Sequence, residues 1–269
     1  DTEKLDNNLI TLVQPNIEQK DKWNLEKRNT NLNKLTQLSL QNVNEYKGVN
    51  RIIIWPETSF EGTIPNEMEL LSVISKRILT DQKAILVVGL LRVDENKLFN
   101  SLVFLNSNGN IIHQYDKIHL VPFGEYIPFR SKLTTIANFL SLKDFSSGKI
   151  KPNFTLKGLG NILTLICYEI LFTEEVISRL SKNTNLLINI TNDAWFGKTI
   201  GPYQHLALAK IKAVELGIPL ARVANTGISA LISPYGEEIT KIPLYESGVK
   251  SASLIKPCLL YTSDAADEG

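Results

Sequence analysis

The chain has few of the residues that build metal centres or disulfide frameworks. It carries two cysteines, Cys167 and Cys258, and three histidines, His113, His119 and His205. Two thiols allow one disulfide at most, and so few thiols and imidazoles leave little for a ligand set. It also lacks an excess of charge. Lys plus Arg number 29 against 28 for Asp plus Glu, a net charge of +1, which excludes a nucleic-acid binder working by bulk charge. Long apolar runs are missing as well. The longest is Ala84-Ile85-Leu86-Val87-Val88-Gly89-Leu90-Leu91, far short of the roughly 18 residues that read as a membrane span. Asp1 to Asn8 are polar and do not read as a signal peptide, so a cytosolic protein or a soluble piece of a larger one is expected. No repeat or low-complexity linker interrupts the chain.

What is present fits a layered globular fold. At 269 residues, 43% hydrophobic and 21% charged, the chain can bury a large core without staples. Short Ile, Leu and Val runs bounded by turn residues predict strands at 8–14, 51–55, 84–91, 98–105, 161–167, 185–190 and 219–223. Helical stretches are predicted between them, near 23–43, 66–81, 173–181 and 203–216, the third opening on Thr173-Glu174-Glu175 as the helix dipole favours. Strands alternating with helices indicate an α/β architecture, and continuous apolar runs indicate strands covered on both faces. Ile228 to Ser233, Pro234-Tyr235-Gly236 and a strand-like return read as an appended hairpin. Residues 122–149, with a short helical stretch near 132–142, form a long excursion of the kind that is often functional. Residues 1–257 read as one domain. Residues 258–269 carry no pattern continuing it and read as a non-native or disordered tail.

Three chemically capable residues fall at predicted strand ends. Cys167 follows Leu163-Thr164-Leu165-Ile166, where a nucleophile would be presented on rigid backbone; the alternative is a small buried hydrophobe. Glu57 closes Ile52-Ile53-Ile54-Trp55-Pro56, either as a solvated loop acid or as a partly desolvated base. Lys117, in Tyr115-Asp116-Lys117-Ile118-His119-Leu120, is either a surface cation paired with Asp116 or another acid, or a cation aimed at a developing oxyanion. A thiol nucleophile needs a base and an oxyanion donor, and no His is required if Glu takes the proton.

Glu, Lys and Cys in this order resemble the carbon-nitrogen hydrolase (nitrilase) superfamily, and the surrounding blocks resemble its apolipoprotein N-acyltransferase branch. Those blocks are Trp55-Pro56-Glu57, the stretch Tyr115 to Pro128 containing Pro122-Phe123-Gly124-Glu125-Tyr126-Ile127-Pro128, and Ile166-Cys167-Tyr168-Glu169. Asn192-Asp193-Ala194-Trp195-Phe196-Gly197, Arg222-Val223-Ala224-Asn225-Thr226-Gly227, Val13-Gln14-Pro15-Asn16-Ile17 and Lys22-Trp23 also fit. The resemblance covers about residues 8–250. Proteins of this branch carry membrane spans before and after the domain; this chain has neither and resembles the catalytic domain alone.

The resemblance implies an αββα four-layer sandwich without cofactor or metal. It implies acyl transfer from a phospholipid, through a thioester on Cys167, to the α-amine of a diacylglyceryl-cysteine apolipoprotein, with Glu57 as base and Lys117 as oxyanion donor. Glu125 is implied as a second acid that fixes Lys117, with Tyr168 and Glu169 supporting the nucleophile turn. Trp23 matches a functional tryptophan of the branch. Phe123, Tyr126, Ile127, Phe129, Trp195 and Phe196 form either core or an apolar lip for acyl chains facing a membrane surface. Localisation would be the bacterial inner membrane, with this domain on the periplasmic side. The competing readings are a soluble carbon-nitrogen hydrolase acting on a small amide or nitrile, and a catalytically dead binding module, which the intact Glu57, Lys117 and Cys167 set argues against.

Overall fold

The computed structural model describes residues 3–41, 46, 48–122, 125–126, 144–150, 153–181 and 183–258. Two sheets form its centre. The first runs in the order β13 (Gly248–Ile255), β1 (Lys4–Gln14), β2 (Asn50–Ile54), β4 (Ala84–Asp94), β5 (Lys97–Leu105), β6 (Ile111–Asp116), with β3 (Phe60–Ile64) paired to the far end of β4. The second runs β12 (Glu238–Ile242), β11 (Ser229–Ile232), β10 (Leu220–Ala224), β9 (Thr184–Thr191), β8 (Gly160–Ile166), β7 (Phe154–Leu156). Strands β1, β2 and β4 are mutually parallel, as are β8, β9 and β10.

Side chains alternate across each strand, and both faces are apolar because both are covered. On β2, Ile52 and Ile54 point between the sheets, where they join Ile10, Leu12 and Val87 against Leu186, Ile188, Ile190 and Val223. Ile53 and the following Trp55 point the other way, onto α1 (Leu25–Leu40) and α2 (Met68–Ile78) through Leu35, Leu38, Leu71 and Ile78. The outer face of the second sheet, Leu163, Leu165, Leu187 and Leu220, packs under Leu206, Ala209 and Ala213 of α4 (Gly201–Leu216) and beside Val176 of α3 (Thr173–Arg179). The layer order is therefore helix, sheet, sheet, helix, the αββα sandwich that the family resemblance implied.

The strands predicted at 8–14, 51–55, 84–91, 98–105, 161–167, 185–190 and 219–223 and the helices predicted near 23–43, 66–81, 173–181 and 203–216 recur with ends moved by a few residues, and α1 starts at Leu25. Asn24 caps it by accepting from the Glu26 N–H at 2.9 Å. Trp23 therefore precedes the helix, with φ +71. The hairpin of β11 and β12 extends the second sheet rather than standing apart, since β11 pairs antiparallel with β10. The short helical stretch predicted near 132–142 lies outside the described residues, as does the tail beyond Cys258. Both cysteines are free thiols. Among the described residues, no helix is long and apolar enough to cross a membrane.

Candidate active site

The parallel strands of both sheets deliver their C-terminal ends to one region, where ligands of layered α/β folds commonly bind. Strand β2 ends two residues before Pro56-Glu57, β6 ends at Asp116 next to Lys117, and β8 ends at Ile166 next to Cys167. Sheet geometry thus brings together residues 57, 117 and 167.

Glu57 is buried on a tight turn, with Thr58 following at φ +45. Its carboxylate Oε1 accepts from Asn100 Nδ2 at 2.7 Å and stands 4.0 Å from Lys117 Nζ. The turn rests on β4 at Gly89, where an added Cβ would lie 2.4 Å from the Pro56 carbonyl oxygen and 2.7 Å from Glu57 Cα. Only a residue without a side chain lets the backbones approach so closely.

Lys117 is 1% exposed. Its ammonium donates to both oxygens of Glu125, at 2.9 and 2.8 Å. Glu125 in turn accepts from Asn100 Nδ2 at 3.0 Å and from the Val121 N–H at 2.8 Å. Asn100 bridges the two carboxylates, and its carbonyl oxygen takes the Lys117 N–H at 2.8 Å. Asp116 is not the partner of Lys117. Arg92 holds it with two hydrogen bonds at 3.0 and 3.1 Å, and Ser101 donates to it at 2.7 Å. Burial alone would weaken the Lys117 ammonium, but Glu57, the Cys167 sulfur and Glu125 outweigh it and hold its pKa above the ordinary lysine value.

Cys167 opens a 3-10 turn, Cys167–Leu171, with φ +56, a conformation that costs a non-glycine residue free energy. The thiol is 9% exposed, so it is buried rather than presented to solvent as the strand-end position suggested. Burial, reinforced by Glu57, pushes its pKa up to about 12, while Lys117 and Thr191 act in the opposite direction. At neutral pH the resting sulfur is a thiol lying within electrostatic reach of an acid and a cation.

A second set of buried groups fixes the turn. Asn189 Nδ2 donates to the Cys167 carbonyl at 3.1 Å, and Asn189 Oδ1 accepts from Arg222 at 3.0 Å. Arg222 also donates to Asp193 at 2.7 Å. Asp193 further accepts from His205 Nδ1 at 3.0 Å and from the Thr191 hydroxyl at 3.1 Å. Tyr168 stacks on His205 with centroids 5.0 Å apart, and Phe196 meets both rings edge-on. Burial disfavours the Asp193 carboxylate, but Arg222 and His205 outweigh it and hold the pKa near 2.

Glu169 joins the nucleophile turn to the lysine strand. Its Oε2 accepts from the Ile166 N–H at 2.7 Å. Its Oε1 accepts from the Ile118 and His119 N–H groups at 2.7 and 3.1 Å and from the Tyr115 hydroxyl at 2.8 Å. One buried carboxylate thus sets the spacing of residues 117 and 167.

Of the expected substrate-contact residues, Trp195 is 77% exposed and Trp23 is 44% exposed, while Tyr126 and Phe196 are half-buried. Phe123, Ile127 and Phe129 lie outside the described residues. Sequence reasoning missed Asn100, Gly89 and Asn189, and gave Arg222 only as the first residue of a matching block. A charged or amide side chain inside an otherwise apolar strand, as at Asn189 and Arg222, is the signal that could have found two of them.

A family model for carbon-nitrogen hydrolase matches residues 9–255. The chain belongs to the carbon-nitrogen hydrolase family. Curated relatives include the apolipoprotein N-acyltransferase of Rhizobium etli, 39% identical over 91% of this chain and 47% of that protein. The apolipoprotein N-acyltransferase of Vibrio cholerae is 34% identical over 91% of this chain and 49% of that protein. The chain thus spans about half the length of the curated relatives it matches. Among solved structures, an amidase from Nesterenkonia sp. superposes with a TM-score of 0.66 at 19% identity, covering 94% of this chain and 92% of that one. The carbon-nitrogen hydrolase superfamily protein XC1258 from Xanthomonas campestris gives 0.63 at 18%, covering 91% and 89%. Both show the shared fold of the family.

Proposed function

We propose that this chain is the acyl-transferring unit of an apolipoprotein N-acyltransferase, with Glu57, Lys117 and Cys167 as its catalytic residues. The observation that carries the chemistry is the buried cluster in which a thiol on a strained turn lies within electrostatic reach of Glu57 and of a lysine whose charge is secured by Glu125. The names of the relatives and their identity along nearly the whole chain supply the substrate class.

In the first half-reaction the Cys167 sulfur attacks the ester carbonyl of a phospholipid acyl chain while Glu57 takes the thiol proton. A raised thiol pKa fits this, because the proton leaves as the bond forms rather than beforehand. Lys117 and a backbone N–H near the nucleophile hold the oxyanion. Collapse expels the lysophospholipid alkoxide, which receives the proton from Glu57, and leaves a thioester. In the second half-reaction the α-amine of a diacylglyceryl-cysteine attacks the thioester carbonyl and gives a proton to Glu57. The amide forms, the sulfur departs and is reprotonated.

Both substrates are lipids, so the pocket must work at a membrane surface. The exposed side chains of Trp195, Ile200, Tyr203 and Trp23 support contact with acyl chains there. The setting is the bacterial inner membrane, with this domain on the periplasmic side. The test is intact-mass analysis after incubation with phospholipid in detergent. An acyl adduct on Cys167 that a diacylglyceryl-cysteine peptide discharges as an amide supports the reading. Release of ammonia from small amides, with no phospholipid adduct, supports hydrolysis instead.

A further inference from the structure

Lys22 is a second buried lysine beside Glu57, and the acyl-transfer steps above give it no role. It sits in the loop between β1 and α1, and its Nζ donates to the Glu57 carbonyl oxygen at 3.1 Å. The loop is held independently of Lys22. Asn225 takes the Ile17 N–H at 3.0 Å and donates to the Ile17 carbonyl at 2.8 Å, and Asn192 donates to Gln19 at 3.1 Å. Asn31 donates to the Asp21 carbonyl at 3.3 Å and to Glu61 at 2.7 Å. The ammonium is therefore delivered to Glu57 by a fixed backbone. The charged or ionisable groups acting on it are Glu57, Glu61 and the Cys167 sulfur.

We propose that Lys22 is a positioning residue for the Glu57 base, its buried ammonium fixing the turn that carries the base by donating to the Glu57 carbonyl oxygen. The inference rests on Glu57 acting as the base. It divides the labour between two cations: Lys117 faces the reacting carbonyl, and Lys22 holds the base from the backbone side. Burial lowers the Lys22 pKa to about 8, with Glu57, Glu61 and the Cys167 sulfur acting in the opposite direction. Glu61 opposes the desolvation of Lys22 and accepts from Asn31 of α1.

The test reads the base without needing acyl transfer. The rate of Cys167 alkylation by iodoacetamide at neutral pH is followed by intact mass, in a Cys258→Ser background so that one thiol reports, beside thermal melting of each variant. A catalytic group misplaced by about 1 Å can lose on the order of 10² in rate. Lys22→Met, which keeps the length of the side chain without its donor, should therefore slow alkylation by about 10- to 100-fold. Lys22→Gln, whose donor stops short of the carbonyl, should match it and guards against a misfolded Met variant. Lys22→Arg, which keeps a donor on a long stem, should recover most of the rate. Glu57→Gln should be slow by itself, and adding Lys22→Met to it should cause little further loss, because the base that Lys22 positions is gone. Parent-like rates in Lys22→Met and Lys22→Gln, or an equal further loss in the Glu57→Gln background, overturn the role of Lys22. A Glu57→Gln rate equal to the parent's overturns the assignment of Glu57 as base, and Lys22's role with it.

Discussion

Adding a single methyl group at Gly89 should unseat Glu57 without altering any side chain of the cluster. The Cβ of an alanine there would stand 2.4 Å from the Pro56 oxygen, 2.7 Å from Glu57 Cα and 2.8 Å from the Thr58 nitrogen. All three are backbone atoms, so no flexible side chain can swing aside. Restoring ordinary contact requires a displacement of about 1 Å, the difference between 2.4 Å and normal van der Waals separation. A misplacement of that size can cost on the order of 10² in rate when it falls on a catalytic group. Overpacking a tight core contact costs about 1–3 kcal/mol, which lowers the melting temperature by roughly 2–4 °C per kcal/mol in a domain of this size. The assay pairs Cys167 acylation, read by intact mass, with thermal melting. Gly248→Ala is the control, because an added Cβ there meets only Ile242 at an ordinary 3.7 Å. Gly89→Ala with unchanged acylation and unchanged melting would refute the claim that the β4 backbone seats the base.

Other substitutions separate the remaining parts of the cluster. Cys167→Ala should abolish the acyl adduct while circular dichroism stays native, and Cys167→Ser should fail as well, since Glu57 is poorly matched to a hydroxyl of far higher pKa. Lys117→Ala should slow acylation by about 10²–10³, the usual scale for losing one oxyanion donor. Glu169→Gln should cost about 1–3 kcal/mol in chemical denaturation, because the amide turns an NH₂ toward buried N–H donors that the carboxylate satisfied. It should also slow acylation by loosening the spacing of Lys117 and Cys167. On phospholipid vesicles, joining this chain to a membrane anchor should raise acyl transfer by about 10²–10⁴, through effective concentration. Equal rates with and without the anchor, at equal protein and lipid, would contradict an interfacial site.

The central strands were legible because burial on both faces left unbroken apolar runs, as in Ile52-Ile53-Ile54-Trp55 and Ala84 to Leu91. Strand β13 was not, because its sequence Gly248 to Ile255 mixes Lys and Ser into a half-buried edge, and only its return to β1, pairing Val249 with Val13, makes it a strand. Strands β3, β6 and β7 were missed for the same reason: they are short or partly polar and gain order from the neighbour they pair with. Glu57 and Cys167 could be picked out because each lies at the end of an apolar strand, where a layered fold gathers its chemistry, whereas Lys117 was visible through the block Tyr115 to Leu120 and not through β6, which delivers it. Their support could not. Asn100 reads as one polar residue in a strand until the fold sets it between two carboxylates. Gly89 reads as part of an apolar run until the Glu57 turn is laid against it. Lys22 was visible only as half of a motif, since nothing local tells a surface lysine from one delivered into a pocket by its loop.

The most direct test of the account is the mass of the intact chain after incubation with a phospholipid of defined acyl chains in detergent, followed by a diacylglyceryl-cysteine peptide. The account predicts a single added acyl mass that maps to Cys167, is absent in Cys167→Ala, and disappears as the peptide gains the same mass in an amide bond. An acyl mass on any other residue, or a Cys167 adduct that water clears while the amine-bearing peptide gains nothing, would contradict it.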